Sequence, residues 1–349
     1  MSTPETKLNP MLTPNKAGFT KKDYQGSVST LCTGCGHDSI TMHVVSAFYD
    51  LDIPPHRVAK LSGIGCSSKT PAYFLAGSFG FNAVHGRMPS VATGAHLANT
   101  SMTNIAVSGD GDTASIGLGQ FAHLIRRNVP MLYLIENNGV YGLTKGQFSA
   151  TADKDSLQKK GDRNKFQSID LCMMALTLGG DFVGRSFSGD AKQLVPLIKA
   201  GLLHQGTAIL DVVSPCITFN NHQGSTKSYT FVKEHDEYLH EVGFVHGAEE
   251  IKVDYEEGSL KIIELHDGYK LTLKKIERDY DPTNRIAAID RLEKSREAGQ
   301  LLTGLFYINP DSLSLKDTLQ LCDTPLVEIS AEALRPSESA LAEIMDELR

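Results

Sequence analysis

Residues 104–112 read NIAVSGDGD and residues 129–138 read VPMLYLIENN, and each is an apolar run that ends in polar turn residues. Between them, residues 116–128 read IGLGQFAHLIRRN, in which apolar residues recur at helical spacing. A strand, a helix and a second strand in this order form a βαβ unit, whose two strands lie parallel. This stretch therefore predicts an α/β fold with a parallel sheet flanked by helices.

The same alternation continues on both sides of this unit. Helices are predicted over residues 39–51, 170–180 and 191–202, and strands within residues 57–66, 181–187 and 207–216. After about residue 225 the pattern changes. Apolar and polar residues alternate over 252–276 with Gly turns between them, which suggests antiparallel strands, and 285–306 and 339–348 have the pattern of amphipathic helices.

These patterns divide the chain into three parts. Residues 1–25 are polar and proline-bearing at their start, and we expect a flexible arm or a partner-binding strap there. Residues 26–225 are predicted to form the α/β domain. Residues 226–349 are predicted to form a C-terminal α+β extension.

The composition excludes some functional classes. The net charge of −7 and the pI near 5.9 disfavour nucleic acid as a partner, because such binding needs clustered Lys and Arg. The most basic stretch, Lys154 to Lys165, is interrupted by acidic residues and is typical of a solvated loop. We find no apolar run near the ~18 residues of a membrane span, and the N-terminus lacks the pattern of a secretory signal. We expect a cytoplasmic protein with no membrane partner.

Polar side chains follow both strands of the central βαβ unit. Asp110 offers a carboxylate and Asn138 an amide oxygen, which are ligands that Mg²⁺ prefers, often beside a phosphate. Gly109 and Gly111 let a diphosphate approach the backbone, and the following helix N-terminus favours its negative charge. Ligands of open α/β sheets bind at such strand ends. We therefore expect a site for Mg²⁺ and a diphosphate here.

Cysteines form the second group of candidate ligands. Without a secretion signal, disulfides are not expected for the six cysteines. Cys32-x-x-Cys35 alone fits a zinc site, a redox pair or an iron–sulfur site. Cys66 and Cys216 lie in Gly-, Pro- and Ser-rich turns, and with them four thiolates could complete a 4Fe-4S cluster. Spacing alone leaves these alternatives open.

The diphosphate motif resembles that of thiamine-diphosphate enzymes, in which GDG is followed about 25 residues later by NN. The resemblance implies a thiamine-diphosphate-binding fold. It also implies that Asp110, Asn138 and the main-chain carbonyl of Val140 hold Mg²⁺.

Six motifs occur in the order found in β subunits of 2-oxoacid:ferredoxin oxidoreductases. They cover roughly residues 26–230 and read CTGCGH (32–37), SGIGCSSKTP (62–71), HGR (85–87), SGDGD (108–112), NNGVYGLTKGQ (137–147) and SPCITFNN (214–221). The resemblance implies that Cys32, Cys35, Cys66 and Cys216 bind one 4Fe-4S cluster beside the thiamine, within a domain of residues 26–225. It places His85 near the cofactor.

Other residues near these motifs have less certain roles. Cys172 and Cys322 match none of the motifs, and we expect both to be structural. His37 either caps the following helix or faces the diphosphate, and His222 follows the last ligand cysteine.

The segment GLTKGQ resembles the branch of this family that acts on 2-oxoglutarate. Leu143 stands where pyruvate-specific relatives usually have other residues, and Lys69 could pair the distal carboxylate of 2-oxoglutarate. Lys145 is a weaker candidate for the same role. The implied reaction is oxidative decarboxylation of 2-oxoglutarate with coenzyme A to succinyl-CoA and CO₂. Electrons would pass through the cluster to ferredoxin, and the reaction could also run in reverse to fix CO₂.

The resemblance also implies an α subunit as an obligate partner, with which the chain is expected to form α₂β₂. In this family a glutamate on that subunit activates the thiamine, and no Glu of this chain lies in a matching motif. Alternative functions are the same chemistry on another 2-oxoacid such as pyruvate, a non-redox thiamine-diphosphate decarboxylase or synthase, and a non-catalytic zinc- or cluster-binding interaction module.

Overall fold

The main structural element is a single mixed sheet with helices on both faces. The computed structural model describes residues 11–157, 161–219, 251–265 and 270–349. The strands are β1 (Val58–Ser62), β2 (Phe79–Asn82), β3 (Thr103–Gly109), β4 (Met131–Asn137), β5 (Val140–Tyr141), β6 (Gln147–Phe148), β7 (Phe182–Phe187), β8 (Thr207–Val213), β9 (Leu260–Glu264), β10 (Lys270–Lys275) and β11 (Leu301–Ile308).

Nine of these described strands pair side by side in the order β2-β1-β3-β4-β8-β7-β11-β10-β9. From β2 to β7 every neighbouring pair is parallel. β11 is antiparallel to β7, and β9 is antiparallel to β10. Strands β5 and β6 form a separate hairpin. The predicted parallel sheet is confirmed.

The helices also follow the predicted order. They are α1 (Gly36–Asp50), α2 (Met88–Ala98), α3 (Leu118–Arg127), α4 (Leu171–Thr177), α5 (Ala191–Leu203), α6 (Arg285–Glu297), α7 (Leu315–Thr318), α8 (Ala331–Leu334) and α9 (Glu338–Glu347). A π-helical turn, Asp112–Ile116, leads into α3. Short 3₁₀ turns cover Lys21–Tyr24, Pro55–Arg57, Ser67–Ala72, Ile217–Phe219 and Leu326–Glu328.

The central strands carry apolar residues on both faces because both faces of the sheet are covered. In β3, Ile105 and Val107 point to the layer that contains α1 and α5. Ala106, between them, points to the layer that contains α2, α3, α4 and α6. All three side chains are fully buried. An apolar run such as IAV (105–107) is therefore what a central strand of this sheet requires.

The C-terminal extension differs from its prediction in one element. Residues 285–306 were expected to form one helix, but α6 ends at Glu297 and residues from Leu301 form β11. Gly299 adopts φ +65°, a conformation that ends helices readily, and the apolar residues that follow are buried as a strand. The predicted antiparallel strands are present as β9 and β10, and they join the main sheet through β11.

The predicted domain boundaries are only partly visible. The boundary after residue 225 falls within 220–250, outside the described residues, and stays a prediction. Within the predicted N-terminal arm, Tyr24 is fully buried, and the Asn15 side chain donates to the Tyr24 hydroxyl and to the carbonyl of Tyr49 on α1. This part of the arm is packed against the domain rather than flexible. Among the helices that the structure describes, none is long and apolar enough to cross a membrane.

A buried charge network joins three elements near the centre of the sheet. The Arg185 guanidinium on β7 donates to Asp211 on β8 at 2.9 Å and to Asp170 at 2.7 Å. Asp170 also caps α4 by accepting from the backbone N–H groups of Cys172 and Met173. Burial alone would raise the pKa of Asp170, but Arg185 and these two donors hold it below its usual value. Arg185 therefore bonds to two carboxylates at once, although burial still raises the pKa of Asp211.

We expect Arg185→Met to lower the free energy of unfolding by about 3–5 kcal/mol, because it leaves the Asp170 and Asp211 carboxylates without a counter-charge. Urea denaturation followed by circular dichroism measures the change. Lys192→Ala, which breaks the exposed ion pair with Asp254, is the control and should leave the unfolding midpoint unchanged. An equal midpoint for Arg185→Met and wild type would contradict the role assigned to the network.

Candidate functional site

The predicted site residues lie together because four neighbouring parallel strands end at one edge of the sheet. In sheet order these are β1, β3, β4 and β8. The Cys66 turn follows β1, GDG ends β3, the Asn pair ends β4, and the Cys216 turn follows β8. The N-terminus of α1, just after Cys35, lies at the same edge, since the His37 side chain contacts Ser214 there. The chain thus brings every predicted motif to one place.

A small cleft of about 60 Å³ opens between these strand ends. Its walls combine the strand-end turns with the β5 hairpin, and its lining residues are His37, Ile64, Gly65, Cys66, Ser67, His85, Gly109, Asp110, Gly111, Asp112, Glu136, Asn138, Val140, Tyr141, Gly142, Leu143 and Thr144. The predicted cofactor and Mg²⁺ residues are all in this set. The cleft is therefore the candidate site for the diphosphate.

Asp110 is held in place by three donors. Its Oδ1 accepts from the backbone N–H of Asn138 at 3.2 Å, and its Oδ2 accepts from the Thr151 hydroxyl at 2.5 Å and from the Ser149 hydroxyl. The residue is 1% exposed, and burial raises its pKa despite these hydrogen bonds. A bound cation would favour the ionised form. The hydrogen bond to Asn138 also keeps the two expected Mg²⁺ ligands side by side.

Asp112, the second acidic residue of GDGD, has a different role that the sequence did not reveal. Its Oδ1 accepts from the backbone N–H of Gly86, and its Oδ2 accepts from the Ser108 hydroxyl at 2.7 Å. A Cβ on Gly63 would lie 1.8 Å from the same carboxylate. Asp112 therefore fastens the HGR segment, and with it His85, to the end of β3.

The hairpin that follows the Asn pair covers the GDG turn. The Tyr141 hydroxyl donates to the carbonyl of Gly111 at 3.1 Å. A Cβ on Gly111 would lie 2.5 Å from the Tyr141 ring, so only glycine fits at this position. Asn138 accepts from the backbone N–H of Val140 through its side-chain oxygen. These contacts form a compact polar cradle whose oxygen donors suit Mg²⁺ and whose glycines suit a diphosphate.

The residues predicted for substrate selection occupy different positions. Leu143 is 53% exposed at the mouth of the cleft, and His85 is exposed beside it. Lys69 is half-buried in the turn after Cys66, outside the set of described residues that line the cleft. Burial and the neighbouring Cys32 raise the pKa of the Cys66 thiol, and the Lys69 charge opposes them. Lys69 is thus a neighbour of the cysteines, and its predicted contact with substrate stays a prediction.

The four cysteines predicted as ligands converge on one side of the cleft. Cys32 Sγ lies 2.6 Å from the Thr218 hydroxyl, which ties the first cysteine loop to the last. Burial is the main cause that raises the pKa of Cys216 to about 11, and the nearby Cys66 and Cys32 thiols contribute to the same shift. Burial also raises the pKa of Cys35, and Cys216 adds to this effect. Neighbouring thiols that disfavour each other's ionised forms suit a positively charged iron–sulfur centre, which stabilises thiolates.

The two remaining cysteines lie elsewhere. Cys172 is fully buried in α4, and its thiol donates to the carbonyl of Gly184, in agreement with a structural role. Cys322 is exposed. In the part of the chain that the structure describes, no three His, Cys, Asp or Glu side chains are placed to hold a single metal ion.

Glu136 and His37 form the floor of the cleft, and sequence patterns did not single out Glu136. Their closest atoms, His37 Nδ1 and Glu136 Oε2, are 3.7 Å apart, and both side chains are buried. Burial raises the pKa of Glu136 well above its usual value and lowers the pKa of His37 to about 4. Burial therefore disfavours the charged form of both groups. His37 lies within the first turn of α1 and also lines the cleft, so it faces the diphosphate site.

Comparisons with known proteins agree with this geometry. Residues 63–212 match the family described as thiamine pyrophosphate enzyme, C-terminal TPP binding domain. A 2-oxoacid:ferredoxin oxidoreductase subunit β from a Sulfolobus species is 39% identical over 191 residues, which cover 54% of this chain and 63% of that protein. Subunit β of a 2-oxoacid:ferredoxin oxidoreductase from Aeropyrum pernix is 33% identical over 302 residues, which cover 84% of this chain and 80% of that protein.

One solved structure matches nearly the whole chain. It is the 2-oxoglutarate:ferredoxin oxidoreductase from Magnetococcus marinus with 2-oxoglutarate, coenzyme A and succinyl-CoA bound. The TM-score is 0.70 at 27% identity, and the match covers 95% of this chain and 96% of that one.

We expect Asp110→Asn to weaken the binding of thiamine diphosphate in the presence of Mg²⁺ by about 10- to 100-fold. The substitution keeps the shape of the side chain and removes its charge, and a hydrogen bond or ligand contact to a charged group is worth roughly 1.5–3 kcal/mol. Isothermal titration calorimetry measures the affinity. Asp155→Asn, at an exposed carboxylate of a neighbouring loop, is the matched control. Unchanged affinity for Asp110→Asn would show that the carboxylate is not a metal ligand.

Proposed function

The chain belongs to the family of 2-oxoacid:ferredoxin oxidoreductase β subunits, and from this membership we propose that it is the thiamine- and cluster-binding subunit of an enzyme that oxidises 2-oxoglutarate. The products would be succinyl-CoA, CO₂ and reduced ferredoxin. The observation that carries the proposal is the convergence of the diphosphate cradle and four cysteines at one edge of the sheet. Reduced ferredoxin, when abundant, would drive the reverse reaction that fixes CO₂.

Thiamine diphosphate, held through Mg²⁺, supplies the carbanion stabilisation that decarboxylation of a 2-oxoacid requires. This chain would bind its diphosphate. Asp110, Asn138 and the carbonyl of Val140 would ligate Mg²⁺, and the glycines on either side of Asp110 would let the phosphates reach backbone N–H groups. Ser149 and Thr151 would fix the Asp110 carboxylate, so that it meets the cation without reorganising.

A 4Fe-4S cluster bound by Cys32, Cys35, Cys66 and Cys216 would accept the electrons one at a time. Cys66 itself lines the cleft, so the two cofactors would be neighbours. The Thr218 hydroxyl is in place as a donor beside the Cys32 sulfur. Such hydrogen bonds stabilise thiolate ligands and tune the potential of a cluster.

The substrate and the partner follow from the relatives. The Magnetococcus structure contains 2-oxoglutarate and coenzyme A, and the subunit names of the relatives imply an α partner. The mouth of the cleft supports this, because it exposes apolar side chains: Val84 is 69%, Ile116 44% and Leu143 53% exposed. We propose that an α subunit covers this rim, contributes the glutamate that activates the thiamine, and assembles with this chain as α₂β₂.

We expect replacement of any one of the four ligand cysteines by Ser to remove iron, acid-labile sulfide and the broad visible absorbance from the complex with the α subunit. The loss of one thiolate leaves a cluster with an open iron site in a buried pocket. The measurement is iron and sulfide analysis of anaerobically purified complex. Cys172→Ser and Cys322→Ser are the controls and should retain both elements.

Three outcomes separate the candidate functions. Wild-type protein with zinc and no sulfide would favour an interaction module. Protein that binds thiamine diphosphate without iron would favour a non-redox thiamine enzyme. Iron, sulfide and thiamine diphosphate together, with CoA-dependent reduction of viologen by a 2-oxoacid, would support the proposed function.

Substrate selection is tested by Lys69→Ala in the complex. If the Lys69 ammonium pairs the distal carboxylate, kcat/KM for 2-oxoglutarate should fall about 10- to 100-fold, the effect of a lost charge-assisted hydrogen bond. Pyruvate turnover should change little because pyruvate has no second carboxylate. Lys154→Ala, at an exposed lysine, is the control. An equal loss for both acids would assign Lys69 to the cluster beside Cys66, and no loss would assign substrate recognition to the partner.

A further inference from the structure

His37 joins two of the cysteine loops, those of Cys35 and Cys216. It lies two residues after Cys35, in the first turn of α1. Its ring Nδ1 lies 2.6 Å from the hydroxyl of Ser214, two residues before Cys216. One residue therefore contacts both the first and the last cysteine loop. Both side chains of the pair are buried, at 1% exposure for His37 and 0% for Ser214.

The packing around this contact leaves little freedom. Gly36 precedes His37, and a Cβ at Gly36 would lie 2.7 Å from the Ser214 hydroxyl and 2.6 Å from that of Ser188. The start of α1 is thus pressed against the loops that follow β7 and β8. Deleting the hydroxyl of Ser214 would remove the hydrogen bond to His37 and leave the close approach of Ser188 to Gly36 in place.

Ser214 also connects the contact to the diphosphate cradle. Its backbone N–H donates to the carbonyl of Asn137 at 2.7 Å. Asn137 is the residue before the expected Mg²⁺ ligand Asn138, and its side chain donates to the buried carboxylate of Asp211. Hydrogen bonds therefore run from His37, two residues after Cys35, through Ser214 to the end of β4.

We propose that His37 and Ser214 are positioning residues that set the separation of the Cys35 and Cys216 thiols and hold the cluster at a fixed place beside the cofactor. This proposal rests on the proposed function, because it needs a cluster on the four cysteines. His37 acts through the loops that it joins and contributes no thiolate of its own. Breaking the pair lets the Cys216 loop move away from α1, so that the cluster is held by ligands with a wider range of positions.

The test is a double-mutant cycle on the anaerobically purified complex with the α subunit. The variants are His37→Ala, Ser214→Ala and the double variant. The primary readout is the rate at which an iron chelator removes iron from the cluster, and the second is the linewidth of the electron paramagnetic resonance signal of the dithionite-reduced protein. Neither readout depends on turnover.

We expect each single variant to lose iron at least about fivefold faster than wild type, as the loss of one buried hydrogen bond predicts. The double variant should be no faster than the singles, since both substitutions break the same contact. His37→Gln, whose amide can still bond to Ser214, should restore most of the wild-type rate. The reduced signal should broaden in the single variants because the ligand geometry becomes heterogeneous.

His43→Ala is the matched control. His43 lies on the same helix and makes the same kind of contact, from Nε2 to the carbonyl of Ser188 at 3.0 Å, but it is not adjacent to a cysteine loop. Its rate should equal that of wild type. Rates for His37→Ala and Ser214→Ala equal to that of His43→Ala, or additive effects in the double variant, would overturn the proposal. If His37→Ala does not fold, Ser214→Ala decides alone. Wild-type complex without iron would instead overturn the proposed function.

Discussion

The parallel hydrogen bonding of β1, β3, β4 and β8 is the constraint on which the rest of the structure depends. Parallel neighbours end at the same edge of a sheet, so turns that are far apart in the chain become adjacent in space. The Cys66 turn and the Cys216 turn are separated in sequence by the whole central region, yet only two strands lie between β1 and β8. The pairing of the strands therefore brings the turns together, and the turns supply the side chains of the site.

Polar contacts at this edge are shared between neighbouring strand ends rather than confined to one loop. Asp110 at the end of β3 accepts from the backbone of Asn138 after β4, and Ser214 after β8 donates to Asn137. Behind them, Asn137 reaches Asp211, whose charge is balanced by Arg185. A displacement of one strand end would therefore strain the hydrogen bonds to the next strand end. This coupling explains why so many buried polar groups are tolerated here, since almost all are hydrogen-bonded.

The sequence was sufficient for those features that have a local signature. The apolar runs of β3 and β4 and the polar residues after them predicted both the sheet and the position of Asp110 and Asn138. The resemblance of six motifs then selected the cysteines, which spacing alone left undecided. Contacts between residues that are far apart in the chain could not be predicted from the sequence. Asp112 resembles Asp110 in sequence, but its carboxylate accepts from the backbone N–H of Gly86. Glu136 stands at the end of an apolar strand, and the sequence does not show that its side chain lies beside His37. The helix expected over 285–306 failed for a related reason: its second half is apolar because β7 and β10 enclose it.

The position of β11 has a consequence for the order in which the protein is built. Residues 301–308 lie between β7 and β10 in the sheet, but they follow β7 by more than a hundred positions in the chain. A ribosome needs on the order of ten seconds to synthesise such a length. During that interval β7, which is fully buried in the finished molecule, presents an unpaired edge with apolar faces. Exposed edges of this kind pair readily with other chains. Pairing of β11 closes this edge and so protects the nascent sheet from aggregation. The yield of soluble protein should therefore depend on how quickly β11 pairs with β7.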